Sequence, residues 1–260
     1  RGKMDFENII VRVENKVGWL EYNRPPVNAV HWGMLKEMPQ AIRSLLEDDG
    51  VRVIVIASAL EKYFSTGADL QVFAEIDVEG MREWMTIVHT LVKTLRASPK
   101  PLLAAIHGTA VGLGAELVMH CDQRFSASNA RFGQPEININ IVPGVGTTQS
   151  LARLLGRTRA IRFLYDGAFI SAQDALAIGM VDEIVDPEEL RETVQQYGQT
   201  LASKPPEGLA AIRQTITSGV DLPFDEGLKI EFERILELVQ TANFKEGISA
   251  FLEKRDPKWN

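Results

Sequence analysis

The sequence predicts an α/β fold, and two kinds of segment support that prediction. Short, nearly all-apolar runs rich in β-branched residues, such as VRVIVIAS (51–58) and KPLLAAIHG (100–108), are typical of strands buried on both faces of a parallel sheet. Segments with apolar residues at helical spacing lie between them, and the longest covers residues 78–98. Strands that alternate with helices favour βαβ units.

The N-terminal part begins with two strands. Ile9, Val11 and Val13 alternate with polar residues, a turn follows over 15–18, and a second strand runs to Tyr22. Further elements are predicted in chain order: a helix over 34–49 with Pro39 as its start or a kink, a loop over 61–70, a helix over 113–122 and a short strand over 123–128.

Helical patterns dominate the last third of the chain, from residue 147 onward. Ser171 and Asp174 have the spacing of a capping box at the start of one of these helices. The change of pattern predicts an α/β core over residues 1–195 and a helical region over 196–260. We expect the helical region to serve oligomerisation and to cover the active site.

Composition excludes several classes of protein. Of the 260 residues, 45% are hydrophobic and 24% charged, and the net charge of −7 gives no basic excess for nucleic-acid binding. No run of 18 apolar residues predicts a membrane span, and the first residues do not resemble a signal peptide. Cys121, the only cysteine, is expected to be a buried thiol. These observations favour a cytoplasmic enzyme, although many binding proteins share them.

Two glycine loops follow predicted buried strands. Gly108, Gly112 and Gly114 in HGTAVGLGAE are spaced G-x-x-x-G-x-G, which is not the dinucleotide-binding pattern, and the chain has no phosphate-binding P-loop. One interpretation is a tight turn that lets a helix pack closely on a strand. The other is that the free N–H of Leu113, at the first turn of a helix, joins an N–H of the second loop, STGADL (65–70), in an oxyanion hole.

Two carboxylates lie in this apolar, glycine-rich region. Glu116 is surrounded by Ala115, Leu117 and Val118, and a buried carboxylate is unfavourable unless it is paired, hydrogen-bonded or neutral. An ion pair with Arg124 or Arg153 would explain it. Glu136 by itself would be a solvated loop acid. Beside two candidate oxyanion loops, however, the pair of acids indicates general acid–base chemistry.

Several ordered motifs are similar to those of the crotonase superfamily, and within it to the enoyl-CoA hydratases. The matching segments cover nearly the whole chain: NRPPVNAV (23–30), FSTGADL (64–70), HGTAVGLGAELVMHCD (107–122), ARFGQPEI (130–137), VPGVGTTQSLARLLG (142–156), ISAQDALAIGMVDEIV (170–185) and FKEGISAFLEKRDPKW (244–259). The resemblance implies a spiral of repeated ββα units with a helical C-terminal region. It also implies a homotrimer or a dimer of trimers.

The resemblance also implies the site. The N–H groups of Ala68 and Leu113 would hold a thioester oxygen, and Glu116 and Glu136 would hold a water over the alkene of an enoyl-CoA. Coenzyme A is then part of the substrate, and no cofactor or metal is expected. The implied coenzyme A contacts are Arg24, Val27, Ala29, Thr66, Gly67, Asp69, Leu70, Gly112, Lys254 and Arg255, and the implied acyl-pocket residues are Pro135 and Gly144.

Departures from the family pattern affect details of this site. Pro25 and Pro26 replace a segment that often supplies a basic residue, so Arg24 or the terminal Lys254, Arg255 and Lys258 would meet the phosphates. Leu113, Asn140 and Thr147 stand where glycine is common. Asn138 and Asn140 are interpreted as turn formers rather than acyl-pocket groups, and His107 as a packed residue rather than a base. Alternatives to hydration are a related isomerase or hydrolase activity, or a non-catalytic acyl-CoA-binding protein.

Overall fold

Two β-sheets form the centre of the fold. The computed structural model describes residues 5–259. The strands, in chain order, are β1 (Ile9–Glu14), β2 (Val17–Tyr22), β3 (Val53–Ser58), β4 (Tyr63–Ser65), β5 (Leu102–Ile106), β6 (Thr109–Val111), β7 (Gln123–Ala127), β8 (Arg131–Gly133), β9 (Phe169–Ser171) and β10 (Glu183–Val185).

Helices surround the sheets and make up most of the C-terminal third. They are α1 (Trp32–Leu46), α2 (Leu70–Glu75), α3 (Val78–Arg96), α4 (Leu113–Val118), α5 (Thr147–Leu155), α6 (Arg157–Asp166), α7 (Ala172–Ile178), α8 (Leu190–Ala202), α9 (Pro206–Gly219), α10 (Phe224–Val239) and α11 (Ala242–Glu253), with a 3-10 helix at Pro135–Ile139. Within the described residues, no helix has the length and apolarity that crossing a membrane requires.

The chain passes from one sheet to the other three times in the same way. The larger sheet has the order β1-β2-β3-β5-β7-β10 and is parallel except for β1, while the smaller has the order β4-β6-β8-β9 and is parallel except for β9. Each of the pairs β3–β4, β5–β6 and β7–β8 places its first strand in the larger sheet and its second in the smaller. Each pair then leads into helical structure. The predicted ββα spiral is confirmed.

Side chains of the larger sheet pack into two separate cores. In β3, Ile54 and Ile56 face the main core between the sheets and helices, whereas Val53 and Val55 face a second core completed by α8. This explains why β3 is apolar at successive positions, as the sequence predicted. The proposed boundary after residue 195 falls within α8, and the division into two regions stays a prediction.

Several elements differ from the sequence-based expectations. The segment 61–70, predicted as a loop, contains β4 and the first residue of α2. The strands β6, β8, β9 and β10 were not predicted, because three residues are too few to show a period of two. Pro39 lies inside α1 and neither starts nor ends this helix. The helix α4 is shorter than the helix predicted over 113–122. The capping box of Ser171 and Asp174 is confirmed.

Candidate active site

Two glycine loops meet where β4 and β6 of the smaller sheet end. Gly67 has a φ of 87°, a region that L side chains rarely adopt, and a Cβ added to it would lie 3.4 Å from both the Gly112 Cα and the Leu113 nitrogen. The two backbones are therefore in direct contact. The closeness of the loops allows donors from both of them to act on one bound group.

Each loop presents one backbone N–H that is free to bind a ligand. Val30 N donates to the Gly67 carbonyl and Asp69 N donates to the Val30 carbonyl, both at 2.8 Å, and in such a parallel bridge the N–H of Ala68 faces away from Val30. Leu113 is the first residue of α4, so its N–H has no partner within the helix. Among residues 5–259 neither N–H donates a hydrogen bond to the protein.

Glu116 lies one turn into α4 and is only 2% exposed. Its carboxylate accepts a hydrogen bond from the Val145 N–H at 2.8 Å, and it forms no ion pair with any described residue. The two arginines considered as partners lie elsewhere: Arg124 pairs with Asp182 at 2.7 Å and Arg153 with Asp221 at 2.6 Å. The explanation of Glu116 as half of a buried ion pair is therefore wrong.

Glu136, on the 3-10 helix, is partly buried rather than solvated. Its Oε1 packs against Gly112, where an added Cβ would lie 2.7 Å away. The amide of the fully buried Gln134 lies against the Glu136 carboxylate, and with its nitrogen turned toward Glu136 it can donate to both carboxylate oxygens, at 3.1 and 3.3 Å. Sequence reasoning missed Gln134, since a glutamine two residues from an acid carries no recognisable signal.

Both carboxyl groups bind protons more tightly than an ordinary glutamate. Burial and, to a smaller extent, the nearby charge of Glu136 together raise the pKa of Glu116 to about 7, while the polar groups of Thr147, Val145 and Gly144 oppose the rise. Burial also raises the pKa of Glu136 to about 7. Two interacting acids that titrate near neutrality can hold one proton between them, which is the state needed to donate and accept a proton in one step.

The acids and the free N–H groups line one cavity with a volume of about 280 Å³. Its walls come mostly from apolar side chains of α2, α3 and the segment after Glu136: Leu70, Phe73, Met81, Trp84, Met85, Val88, Ile139, Ile141 and Val142. Apolar walls with a few polar groups are typical of a pocket for a small ligand. Here the polar groups include two acids and two N–H donors, together with the side chains of Thr66 and Asn138.

Comparison with known proteins agrees with this geometry. The profile described as enoyl-CoA hydratase/isomerase matches residues 12–260. The chain belongs to the enoyl-CoA hydratase/isomerase family. It is 36% identical over 253 residues to a short-chain-enoyl-CoA hydratase of Clostridium acetobutylicum and, equally, to a crotonyl-CoA hydratase of Syntrophomonas wolfei, with 97% of each chain covered in both cases. The crystal structure of an enoyl-CoA hydratase from Bacillus anthracis superposes with a TM-score of 0.93 and 32% identity, covering 97% of this chain and 99% of that one.

This member of the enoyl-CoA hydratase/isomerase family brings most of the predicted site residues together. The predicted residues that line the cavity are Thr66, Gly67, Ala68, Leu70, Gly112, Leu113, Glu116, Pro135, Glu136 and Gly144. Asn140 ends the 3-10 helix in the left-handed region, as a turn former should, whereas Asn138 lines the cavity. The apolar residues of α3 were missed, although the helical stripe to which they belong is visible in the sequence.

The predicted coenzyme A residues before position 30 form a loop beside the glycine loop that contains Gly67. Thr66 N donates to the Val27 carbonyl at 3.1 Å. Arg24 Nη1 donates to the Ala29 carbonyl at 2.6 Å and pairs with Asp69 at 3.0 Å. Arg24 thus already holds the two loops together. Its predicted contact with a phosphate stays a prediction.

The other predicted phosphate-binding residues lie at the end of α11. Lys254 is the left-handed residue that ends this helix, and Arg255 pairs with Glu246 at 2.7 Å and with Glu253 at 2.6 Å. Neither residue lines the cavity of this single chain. Their role in binding coenzyme A also stays a prediction.

The histidines near the site are structural. His120 Nε2 makes a hydrogen bond of 2.7 Å to the Val145 carbonyl, which ties the end of α4 to the loop that binds Glu116. Burial lowers the pKa of both His107 and His120, so both favour the neutral form. Neither lines the described cavity, as expected for packed residues.

Proposed function

We propose that the protein is an enoyl-CoA hydratase, a hydro-lyase that adds water across the 2,3 double bond of an enoyl-CoA thioester. One observation carries the proposal: two carboxyl groups with raised pKa values line the same apolar cavity as two unpaired backbone N–H groups. The names of the relatives from Clostridium acetobutylicum and Syntrophomonas wolfei support a short acyl chain, such as crotonyl-CoA, as the first substrate to test.

The backbone donors stabilise the charge that develops during the reaction. With the thioester oxygen at the N–H groups of Ala68 and Leu113, attack of water at C3 gives an enolate-like state whose negative charge collects on that oxygen. Donors held in place for such a charge contribute roughly 3–4 kcal/mol each. Because Gly67 and Gly112 fix the two loops against each other, these donors need no rearrangement when the charge appears.

The two acids handle the protons of the water. Glu116 in its ionised form takes a proton from water as the oxygen attacks C3, and Glu136 in its protonated form delivers a proton to C2. In dehydration the roles reverse. The reaction as proposed uses no cofactor, since coenzyme A is part of the substrate and the remaining groups belong to the protein.

Coenzyme A carries phosphates, and a chain with a net charge of −7 must supply cations for them locally. We assign this role to Arg24, Lys254 and Arg255, with Lys258 nearby in the sequence. Replacing Lys254, Arg255 and Lys258 by alanine should weaken coenzyme A binding at low ionic strength and have less effect at high ionic strength. Unchanged affinity in both buffers would place the phosphate site elsewhere.

The C-terminal helices support assembly into a homotrimer or a dimer of trimers. Large apolar side chains of these helices are exposed in the single chain, including Phe224, Phe232, Phe251 and Leu252. Exposed apolar surface of this extent is typical of an interface rather than of a solvated face.

The decisive experiment measures the loss of ultraviolet absorbance of the conjugated enoyl thioester when crotonyl-CoA is added to the protein. Appearance of 3-hydroxybutyryl-CoA, identified by mass spectrometry, would establish hydration. Migration of a double bond in a 3-enoyl-CoA without water addition would indicate an isomerase, and release of free coenzyme A would indicate a hydrolase. Binding without any turnover of 2-enoyl or 3-enoyl substrates would indicate a non-catalytic protein.

A further inference from the structure

Thr147 is a buried polar residue that the mechanism so far does not use. It is the first residue of α5 and is 0% exposed. Its Oγ1 makes no hydrogen bond of standard geometry with any residue from 5 to 259. A buried hydroxyl without a partner is unfavourable, so a residue of this kind calls for an explanation at a functional site.

The loop that leads to Thr147 binds the carboxylate of Glu116. The loop before α5 wraps around the Glu116 carboxylate, with the Val145 N–H donating at 2.8 Å two residues before Thr147. Thr147 is the first residue of the helix into which this loop leads, and its hydroxyl opposes the rise in the pKa of Glu116. The carboxylate also lies at the N-terminal end of α5, where the helix dipole favours negative charge.

The remaining charged and titratable groups around Glu116 supply no positive charge. Glu136, on the 3-10 helix, raises the pKa of Glu116 by repulsion. His120, one turn along from Glu116, directs Nε2 to the Val145 carbonyl, and burial lowers its pKa, so it is neutral near pH 7. Within the described part of the chain, therefore, the ionised carboxylate of Glu116 is stabilised by uncharged hydrogen-bond donors and not by a cation.

We propose that Thr147 is a positioning residue for Glu116, whose hydroxyl donates a hydrogen bond to the ionised carboxylate and so fixes its orientation toward the water. This role rests on the proposed hydratase function. The hydroxyl favours the ionised form because an ionised carboxylate is a stronger acceptor than a neutral acid. Removal of the hydroxyl therefore raises the pKa of Glu116, and a larger fraction of the base is protonated at any pH near neutrality.

The test compares Thr147→Val with Thr147→Ser. Valine keeps the shape and loses the hydroxyl, whereas serine keeps the hydroxyl and loses the methyl group. For Thr147→Val we expect the acidic limb of the kcat/KM profile for crotonyl-CoA to move up by about one pH unit, and kcat/KM at pH 6 to fall roughly tenfold, because one hydrogen bond to a charged group is lost. For Thr147→Ser we expect the parent profile.

Thr148→Val is the matched control, since it makes the same chemical change at the next residue of the same helix, where the side chain is only partly buried. It should leave the acidic limb in place. The opposite pattern for the test pair, with Thr147→Val like the parent and Thr147→Ser impaired, would mean that the methyl group and its packing matter, and would overturn the proposal. If Thr147→Val does not fold, Thr147→Ala removes the same hydroxyl without adding an apolar group.

A second measurement needs no catalysis. Infrared difference spectra over a pH titration follow the carbonyl band of a protonated carboxyl group, and Glu116→Gln identifies the band that belongs to Glu116. We expect the midpoint of this band to rise by about one pH unit in Thr147→Val and to stay in place in Thr148→Val. An unmoved midpoint in Thr147→Val would refute the inference. A protein that turns over no acyl-CoA but shows the shift would refute only the proposed hydratase function.

Discussion

The carboxylate of Glu136 rests directly on the backbone of Gly112. A Cβ added to Gly112 would lie 2.7 Å from Glu136 Oε1, closer than carbon and oxygen can approach without a shift. Gly112 also has a φ of 48° and precedes Leu113, whose free N–H is one of the two candidate oxyanion donors. One glycine therefore provides a turn with positive φ, an unpaired amide at the helix start, and room for the carboxylate of Glu136.

Gly112→Ala should disable the site by moving Glu136 and the loop at the same time. We expect kcat for crotonyl-CoA hydration to fall by roughly 10²-fold or more, the size of effect that loss of one oxyanion donor produces. Gly179→Ala is the control, since Gly179 also has a positive φ, of 84°, but has no atom within 4 Å of an added Cβ. It should lower stability and leave kcat unchanged. Equal kcat values in both variants would contradict the steric argument.

Glu116→Gln and Glu136→Gln keep the shape of each acid and remove proton transfer. Each should lower kcat for hydration by roughly 10²–10⁴-fold, the usual contribution of general acid–base catalysis. Because both acids act on one water in the proposed mechanism, the double variant should lose much less than the product of the two single losses. Glu188→Gln, an exposed position, is the control. A folded Glu116→Gln protein that hydrates crotonyl-CoA at the parent rate would refute the mechanism.

Activity should depend on pH in a bell shape centred near pH 7. The proposed mechanism needs Glu116 ionised and Glu136 protonated, and the pKa of each group is raised to about 7. As pH falls below this range Glu116 takes up a proton and cannot accept one, and as pH rises Glu136 loses the proton that it must donate. The two apparent pKa values from a kcat/KM profile describe the interacting pair of acids and are not assigned to either residue alone. A profile that stays flat from pH 5 to 9 would exclude this assignment.

Met85 should limit the length of the acyl chain. It lines the cavity from α3, and a Cβ on Gly144, across from it, would lie 3.0 Å from the methyl carbon of Met85. Met85→Ala should raise kcat/KM for octenoyl-CoA relative to crotonyl-CoA by roughly tenfold, since the shorter side chain makes room for about two more buried methylenes at about 0.8 kcal/mol each. Ile87→Ala, on the same helix but outside the cavity lining, is the control and should leave this ratio of kcat/KM values unchanged. An unchanged ratio in Met85→Ala would mean that the acyl chain binds elsewhere.

Assembly should be visible in solution. Phe251 is 84% exposed and Leu252 74% exposed in the single chain, and we expect a partner subunit to cover both. Light scattering at micromolar concentration should give a mass of three or six chains, and Phe251→Glu with Leu252→Glu should shift it toward smaller species. Lys245→Glu, a polar position of the same helix, is the control. A parent protein that scatters as a single 28.9 kDa species would rule out the assembly.

Much of the fold could be predicted from local patterns. The buried strands β3 and β5, the long helix α3 and the capping box of α7 have signals that lie within a few neighbouring residues. The smaller sheet could not be predicted in the same way. Its strands are three residues long and exist because β4, β6 and β8 are brought side by side by the larger sheet.

The sequence by itself determined the α/β class, the two glycine loops and the two acids that stand out among apolar residues. It did so because glycine, and a carboxylate among apolar side chains, have strong local preferences that are visible one residue at a time. Only the tertiary structure decided the environment of those acids. It showed that Glu116 has no arginine partner among the described residues and binds the Val145 N–H 29 residues away, and that the amide of Gln134 lies against the carboxylate of Glu136. Such contacts depend on how α4, the 3-10 helix and α5 pack, and that packing is set by the whole core rather than by any short segment.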